Sequence, residues 1–340
     1  MDSVDKAILN LIQGAFPVDS RPYQTIGIKT GTTEMEAYLR IEKLKNEKII
    51  RRVGGIFDSC HLGYISTLCA AKVPADKIPV LAELMQSITE ITHSYIRNHT
   101  YNMWFTIIAC SPQRMEQILD EIKKALGSDE VYSIPAKNVF KIKVCLNFLD
   151  MDQKEENRVS GTSLIKHCVN TDQAWNNAKK VSPDRGLSDE EKALIRLLQG
   201  DLASTLTPFS FIAEKLNIGE KEVLEKIDYF LERGILRRIG AILYHQKAGF
   251  TSNAMGVWCV PEKLVVEVGL KMAASPKVSH CYERPRLPGF PYNLFTMIHG
   301  HSDEGCREIM NELSKETGIT DHTMLFSHRE LKKSSMRYFV

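Results

Sequence analysis

At 340 residues the chain is longer than one hydrophobic core usually requires, so two or more domains are expected. Its 43% hydrophobic and 25% charged residues match ordinary globular usage and exclude a disordered, collagen-like or coiled-coil chain. A net charge of +2, from 44 Lys+Arg against 42 Asp+Glu, gives no overall field for nucleic acid, so such affinity would have to come from local clustering.

The first predicted helix is carried by Val4, Ala7, Ile8, Leu11 and Ile12 at helical spacing, and two short helices follow it. Next comes IIRRVGGIFDSCHLGY (Ile49 to Tyr64), read as a β-hairpin, so helix, helix, turn, helix and hairpin predict a winged helix-turn-helix. The period then changes. Strand-like YISTLCAAKV, a helix after Pro74, strands over Thr92 to Arg97 and Asn102 to Ala109, a helix from Pro112 to Leu126 and a strand near Val139 to Leu146 give βαββαβ, a ferredoxin-like sandwich.

Asp150 to Gly186 is polar, poor in periodic apolar residues, and reads as a linker. Beyond it the pattern starts again. Ser188 to Glu191 forms a capping box ahead of Leu194, Ile195, Leu197 and Leu198, and helices over Phe209 to Leu216 and Glu220 to Arg233 flank the turn Asn217-Ile218-Gly219. ILRRIGAILYHQKAGF (Ile235 to Phe250) lies over the first hairpin segment with six identities; HSYIR (His93 to Arg97) matches HCYER (His280 to Arg284), and TYNMWFTIIA matches PYNLFTMIHG. Three matches in one order mean duplication. The second sandwich is expected from Phe250 to Val260, Glu262 to Ala274, Val278 to Arg284, Asn293 to His299, Ser302 to Thr317 and a last strand from His322 to Phe326. The expected class is α+β, two tandem copies of a winged helix-turn-helix plus a ferredoxin-like βαββαβ sandwich. The boundaries are 1–58 and 59–149, a linker over 150–186, then 187–244 and 245–340.

The longest apolar runs, such as Trp104 to Cys110, fall far short of the ~18 residues of a membrane span, so no membrane partner is expected. The start MDSVDKAILN lacks the basic opening of a signal peptide, and eight singly scattered cysteines form no CxxC pair. A cytoplasmic protein with reduced thiols is expected.

The domain order resembles the Lrp/AsnC transcription regulators, which implies a DNA-binding module that senses a small molecule. Phosphate neutralisation then requires a basic recognition helix. Over Glu220 to Arg233, however, Glu220, Glu222, Glu225, Asp228 and Glu232 outweigh Lys221, Lys226 and Arg233, and Thr32 to Lys48 is balanced. No specific DNA binding is expected.

The duplicated strands concentrate unusual side chains. On a strand His93, Tyr95, Arg97 and His99 share one face, with Tyr101 and Asn102 close behind; the second copy offers His280, Tyr282, Arg284, Arg286, Tyr292 and Asn293. Any one histidine here reads equally well as a structural hydrogen-bonding group. Taken together they suit a large flat ligand with several carboxylates, since arginine holds carboxylate bidentately, histidine ligates metal or moves a proton, and aromatic rings stack on a macrocycle. His299 and His322 are assigned to structure or surface.

The motifs RRVGGIFDSCHLGYISTLCAAKVP and HSYIRNHTYNMWFT in the first half, and RRIGAILYHQKAGFTSNAMGVWCVP, VSHCYERPRLPGFPYNLFTMIHG and HRELKKSSMRYF in the second, resemble the siroheme decarboxylases. Each half resembles one subunit of a two-subunit enzyme. The resemblance implies conversion of siroheme to 12,18-didecarboxysiroheme, by loss of CO2 from two acetate side chains, on the alternative route to haem or the route to haem d1. No cofactor is implied beyond the iron of the substrate siroheme.

Carried onto this sequence, the resemblance implies substrate binding by Arg97, Tyr101, Asn102, Arg284, Arg286, Tyr292 and Asn293. It implies proton donation by His93, His99 or His280, with Tyr282 and Lys332 as other sources, and axial ligation of the substrate iron by His245. The first copy has Ser59 where the second has His245, so the copies need not be equally active. A homo-oligomer formed through the ferredoxin-like sheets is expected, and a tetrapyrrole sensor without catalysis is the remaining alternative to an enzyme or a regulator.

Overall fold

The computed structural model describes residues 1–142, 186–244, 252–300 and 302–340. The first copy contains α1 (Ser3–Gly14), α2 (Pro22–Thr30), α3 (Glu34–Asn46), β1 (Ile50–Phe57), β2 (Ile65–Ala71), α4 (Ile78–Ser87), β3 (Ile91–Arg97), β4 (Met103–Ala109), α5 (Pro112–Leu126), β5 (Val131–Ile134) and β6 (Asn138–Ile142). The second contains α6 (Asp189–Leu198), α7 (Pro208–Leu216), α8 (Glu220–Glu232), β7 (Leu236–Leu243), β8 (Ser252–Trp258), α9 (Val265–Ala274), β9 (Val278–Glu283), β10 (Leu294–Gly300), α10 (Asp303–Thr317) and β11 (His322–Lys333). Apart from Gly186, the expected linker lies outside the described residues.

Local chemistry accounts for the helix ends. Capping boxes start α1 (Asp2 with Asp5) and α6 (Ser188 with Glu191), satisfying backbone N–H groups that have no partner inside the helix. Proline opens α2 and α7, where its missing N–H costs nothing, and Asn217 in the left-handed conformation (φ 53°) stops α7. Among the described residues no helix is long and apolar enough to cross a membrane.

The chain divides into two compact units. One takes residues 1–62, the described part of 145–248, and the tail 337–340. It holds both helix-turn-helix copies, and here the expected hairpins are corrected: among the described residues each copy supplies one strand, and β1 pairs antiparallel with β7 of the other copy. The alternation that marks a strand carries no information about its partner. Gly54 stands opposite Gly240. A Cβ on Gly54 would lie 2.0 Å from the Gly200 carbonyl oxygen, and one on Gly240 would lie 2.9 Å from that of Ile12, so the glycine of each Arg-Arg-x-Gly admits close backbone approach. The neighbouring arginines serve the same junction. Arg52 donates to the Gly200 carbonyl at 3.2 Å and Arg237 pairs with buried Asp58 at 2.7 Å.

The other unit takes residues 63–144 and 249–336, less the undescribed ones, and holds both sandwiches. Their strand orders, β5-β2-β4-β3 and β11-β8-β10-β9, are the ferredoxin-like order twice over. Two fourth-strand expectations need correction. β11 is longer than His322 to Phe326: that part pairs with β8, and Ser327 onward pairs with β3 of the other copy. The strand expected near Val139 to Leu146 is β6, which pairs with β9 of the other copy, while the sandwich's own fourth strand is the shorter β5. One nine-stranded sheet results.

Each sandwich has a core under its helices, built on Phe105, Ile107 and Ile118 in the first copy and on Trp258, Ile298 and Met310 in the second. A third cluster joins Ala70, Trp104 and Ile134 of the first copy to Met255, Val257, Phe295 and Leu325 of the second. It marks the inner face of the sheet, opposite the helices.

Candidate active site

Strand alternation decides which side chains reach that inner face. Ser94, in contact with Met85 of α4, and Cys281, in the helix-side core, turn outward, so His93, Tyr95 and Arg97 on β3 and His280, Tyr282 and Arg284 on β9 turn inward. Each trio stacks. The His93 and Tyr95 rings lie 6.4 Å apart with the Arg97 guanidinium 5.5 Å from the Tyr95 centroid; His280 and Tyr282 lie 6.0 Å apart with Arg284 at 4.8 Å. Before each histidine the ladder slips at a hydroxyl residue, Thr92 or Ser279. Its oxygen sits 3.0 Å from Nδ1 of His93 or His280, a contact that orients each ring.

The rows differ in their surroundings. Ser279 Oγ also lies 2.9 Å from Nε2 of His299, so one hydroxyl bridges two imidazoles, whereas the first copy aligns Ile108 with His299. Burial, with the nearby Lys333 ammonium, pushes His299 down to about 4 and keeps it neutral at neutral pH. His299 is thus a site-face residue that the sequence reading assigned to structure.

Both arginines are committed in part. Arg97 Nη1 donates to the Leu325 carbonyl and Arg284 Nη1 to that of Ile134, each at 2.6 Å and each on the fourth strand of the partner row. Burial pushes both guanidinium groups down to about 10, and the Nε of each is buried without a hydrogen-bond partner among the described residues.

Several expected site residues are occupied elsewhere. Asn102 and Asn293 each clasp a backbone N–H and C=O, of Val73 and Val260, at 2.8–2.9 Å, so their amides hold the fold. His99 lies beyond the end of β3 and leaves its alternation; Nδ1 accepts from the Tyr101 N–H at 3.0 Å, and burial lowers its pKa. Tyr101 donates to the Pro288 carbonyl at 2.7 Å, Tyr292 packs edge-on against Phe290, and half-exposed Arg286 donates to the Pro291 carbonyl at 2.7 Å.

Lys332 stands in register with Ser94 on the helix-covered face and donates to the Met85 and Ile88 carbonyls at 2.8 and 2.6 Å, closing the end of α4. Lys141 does the same for α9 through the Ser275 carbonyl. The expectation that Lys332 reaches the carboxylate pocket is therefore corrected, because two slips in the β11 ladder change which residues face inward. The inward residues are Glu330, opposite Tyr95, and Lys333, opposite His93. His245 lies outside the described residues. Among the described residues no cluster of three His, Cys, Asp or Glu could hold a metal.

Comparison with known proteins fits this arrangement. Residues 61–141 and 247–332 match the AsnC-like ligand binding domain, and residues 5–51 and 191–237 match the siroheme decarboxylase NirDL-like HTH domain. A siroheme decarboxylase of Hydrogenobacter thermophilus is 34% identical, over 98% of this chain and 94% of its own. The chain belongs to the siroheme decarboxylase family.

A crystal structure of the siroheme decarboxylase NirDL in complex with an iron-uroporphyrin III analogue superposes with a TM-score of 0.71 at 29% identity, covering 99% of this chain and 95% of that one. In Methanosarcina barkeri a siroheme decarboxylase beta subunit is 44% identical over 42% of this chain and 95% of its own length. Half of this chain thus corresponds to an entire subunit in that relative. This member of the siroheme decarboxylase family carries two subunit-like halves fused, and its paired rows are the product of that duplication.

Proposed function

We propose that the chain converts siroheme to 12,18-didecarboxysiroheme, in haem or haem d1 biosynthesis. The observation that carries this reading is the pair of His-Tyr-Arg rows on the inner sheet face, duplicated with the halves. In each step the bond between the acetate methylene and its carboxylate breaks, CO2 leaves, and the electron pair is absorbed by the conjugated ring until the methylene takes a proton and becomes a methyl group. The protein then has to orient the acetate, exclude water and supply that proton.

His93 and His280 are the proton donors in this reading, since a neighbouring hydroxyl orients each ring, and His99, off the strand, is the weaker choice. Tyr95 and Tyr282 hold the histidine and arginine of each row in line, and the Nε of Arg97 and Arg284, buried without a hydrogen-bond partner among the described residues, offers a donor to the macrocycle's carboxylates. His245 remains our assignment for the axial ligand of the substrate iron. The ring itself is the electron sink, so no separate cofactor is required. Free cysteines among the described residues fit a reducing, cytoplasmic compartment. Sheet pairing that would join two chains occurs between the two halves, so the chain acts as its own pseudo-dimer.

Specific DNA binding is not part of the proposal. In α8 both lysines are drawn to glutamates, Lys221 to Glu225 at 3.6 Å and Lys226 to Glu222 at 3.4 Å, so little positive charge is left for phosphates. The test is anaerobic incubation of the purified protein with siroheme, followed by product mass. Loss of two CO2 per macrocycle is expected; binding with unchanged mass would point to a sensor and sink the enzyme.

A further inference from the structure

The two rows are alike in what they carry and unlike in what faces them. Opposite β3, the second half of β11 sets Ser327 against Arg97, Glu330 against Tyr95 and Lys333 against His93. Opposite β9, β6 sets Val139 against Tyr282 and Ile142 against His280. Polar and charged groups therefore complete one row, and aliphatic groups complete the other. Ser327 Oγ and Arg97 Nε, facing each other across the ladder, are both buried without a hydrogen-bond partner among the described residues. Buried polar atoms in that condition are costly unless something binds them.

Lys333 Nζ lies 3.9 Å from the Glu330 carboxylate, with a third of the side chain exposed. An ammonium on a four-carbon stem at the rim of the row is a point charge that a carboxylate can approach from outside. The nature of the reaction decides which carboxylate. A cation bound to the departing group would stabilise the ground state and oppose C–C cleavage, so a fixed positive charge belongs on a carboxylate that stays.

We infer that Lys333 anchors a non-reacting carboxylate at the edge of the macrocycle, and that this carboxylate is therefore held at the β3–β11 row, not at the β9–β6 row. This rests on the siroheme reading and adds where that carboxylate is held. Lys333 is a substrate-anchoring residue, distinct from the proton donors.

The test compares Lys333→Met, Lys333→Arg and, at the corresponding place on the other row, Ile142→Thr, in the full-length protein with siroheme. Affinity, single-turnover CO2 loss at saturation and thermal midpoint are measured for each. Lys333→Met should weaken binding roughly tenfold to thirtyfold, the worth of one charge-assisted contact, with the saturating rate within about threefold of the parent. The deficit should shrink as salt rises, and Lys333→Arg should recover most of the affinity. Ile142→Thr should bind as the parent does. Parent-like affinity in Lys333→Met, or an equal loss in Ile142→Thr, overturns the anchor while parental turnover leaves the siroheme reading standing. A parent protein that neither binds nor decarboxylates siroheme overturns the reading itself, and the anchor with it.

Discussion

His93 and His280 differ from ordinary strand histidines in being held on two sides, by a tyrosine ring and by the hydroxyl before them. Replacing either with alanine should leave siroheme affinity nearly intact and lower single-turnover CO2 loss by roughly 10²- to 10⁴-fold, the usual worth of a positioned general acid. Unchanged turnover in both variants would move the proton source elsewhere, with Tyr282 next in line. His299 makes a second, independent prediction. Its folded pKa of about 4 lies below the ordinary 6.5, so on acidification the unfolded chain takes up the proton first. The stability at stake is intact above about pH 6.5 and is lost as pH falls towards 4, by at most about 3 kcal/mol. Denaturant unfolding of His299→Gln should show a flatter pH dependence across that window than the parent; an identical slope would exclude the effect. At this scale the sequence disclosed which strands carry the unusual residues. It could not separate Lys332 from Lys333, because the slips in β11 break the alternation on which the reading depends.

Helix boundaries such as Pro112 to Leu126, and the βαββαβ order, were legible because proline, capping residues and apolar spacing are local signals. Strand partners across the two copies were not legible. The β1–β7 pair, β6 on β9 and the second half of β11 on β3 all join segments from different copies, and nothing in a strand's own pattern records that exchange. Glycine offers a test of the first of these pairings. Gly54→Ala places a methyl against the Gly200 carbonyl and should cost about 1–3 kcal/mol, as overpacking of a closed junction does. Gly14→Ala, at the end of α1 with nothing within 4 Å, should be neutral or slightly stabilising. Thermal midpoints would decide between them, and equal midpoints would argue against the close β1 approach.

Exchange of strands makes the two halves one folding problem. Without the second half, β3 loses β11, β1 loses β7, and the inner cluster loses Met255, Val257, Phe295 and Leu325. Without the first half, β9 loses β6 and the same cluster loses Ala70, Trp104 and Ile134. Bare strand edges beside an uncovered apolar face promote aggregation, and either half alone should therefore be poorly soluble. The covalent link is a different matter. A Methanosarcina barkeri siroheme decarboxylase beta subunit matches 42% of this chain over 95% of its own length, so whether this chain needs its covalent link can be tested by splitting it. Residues 1–149 and 187–340, produced together as two chains, should copurify and convert siroheme with a saturating rate within about threefold of the fused protein, since every residue of both rows is retained. Only assembly should suffer: dilution should now dissociate the pair and abolish turnover, and excess of either half should restore it by mass action. Copurification with size-exclusion chromatography and product mass would follow both quantities. Full activity from one half alone would show that a single row suffices without the exchanged strands, and a stably associated but inactive pair would show that the link itself shapes the site.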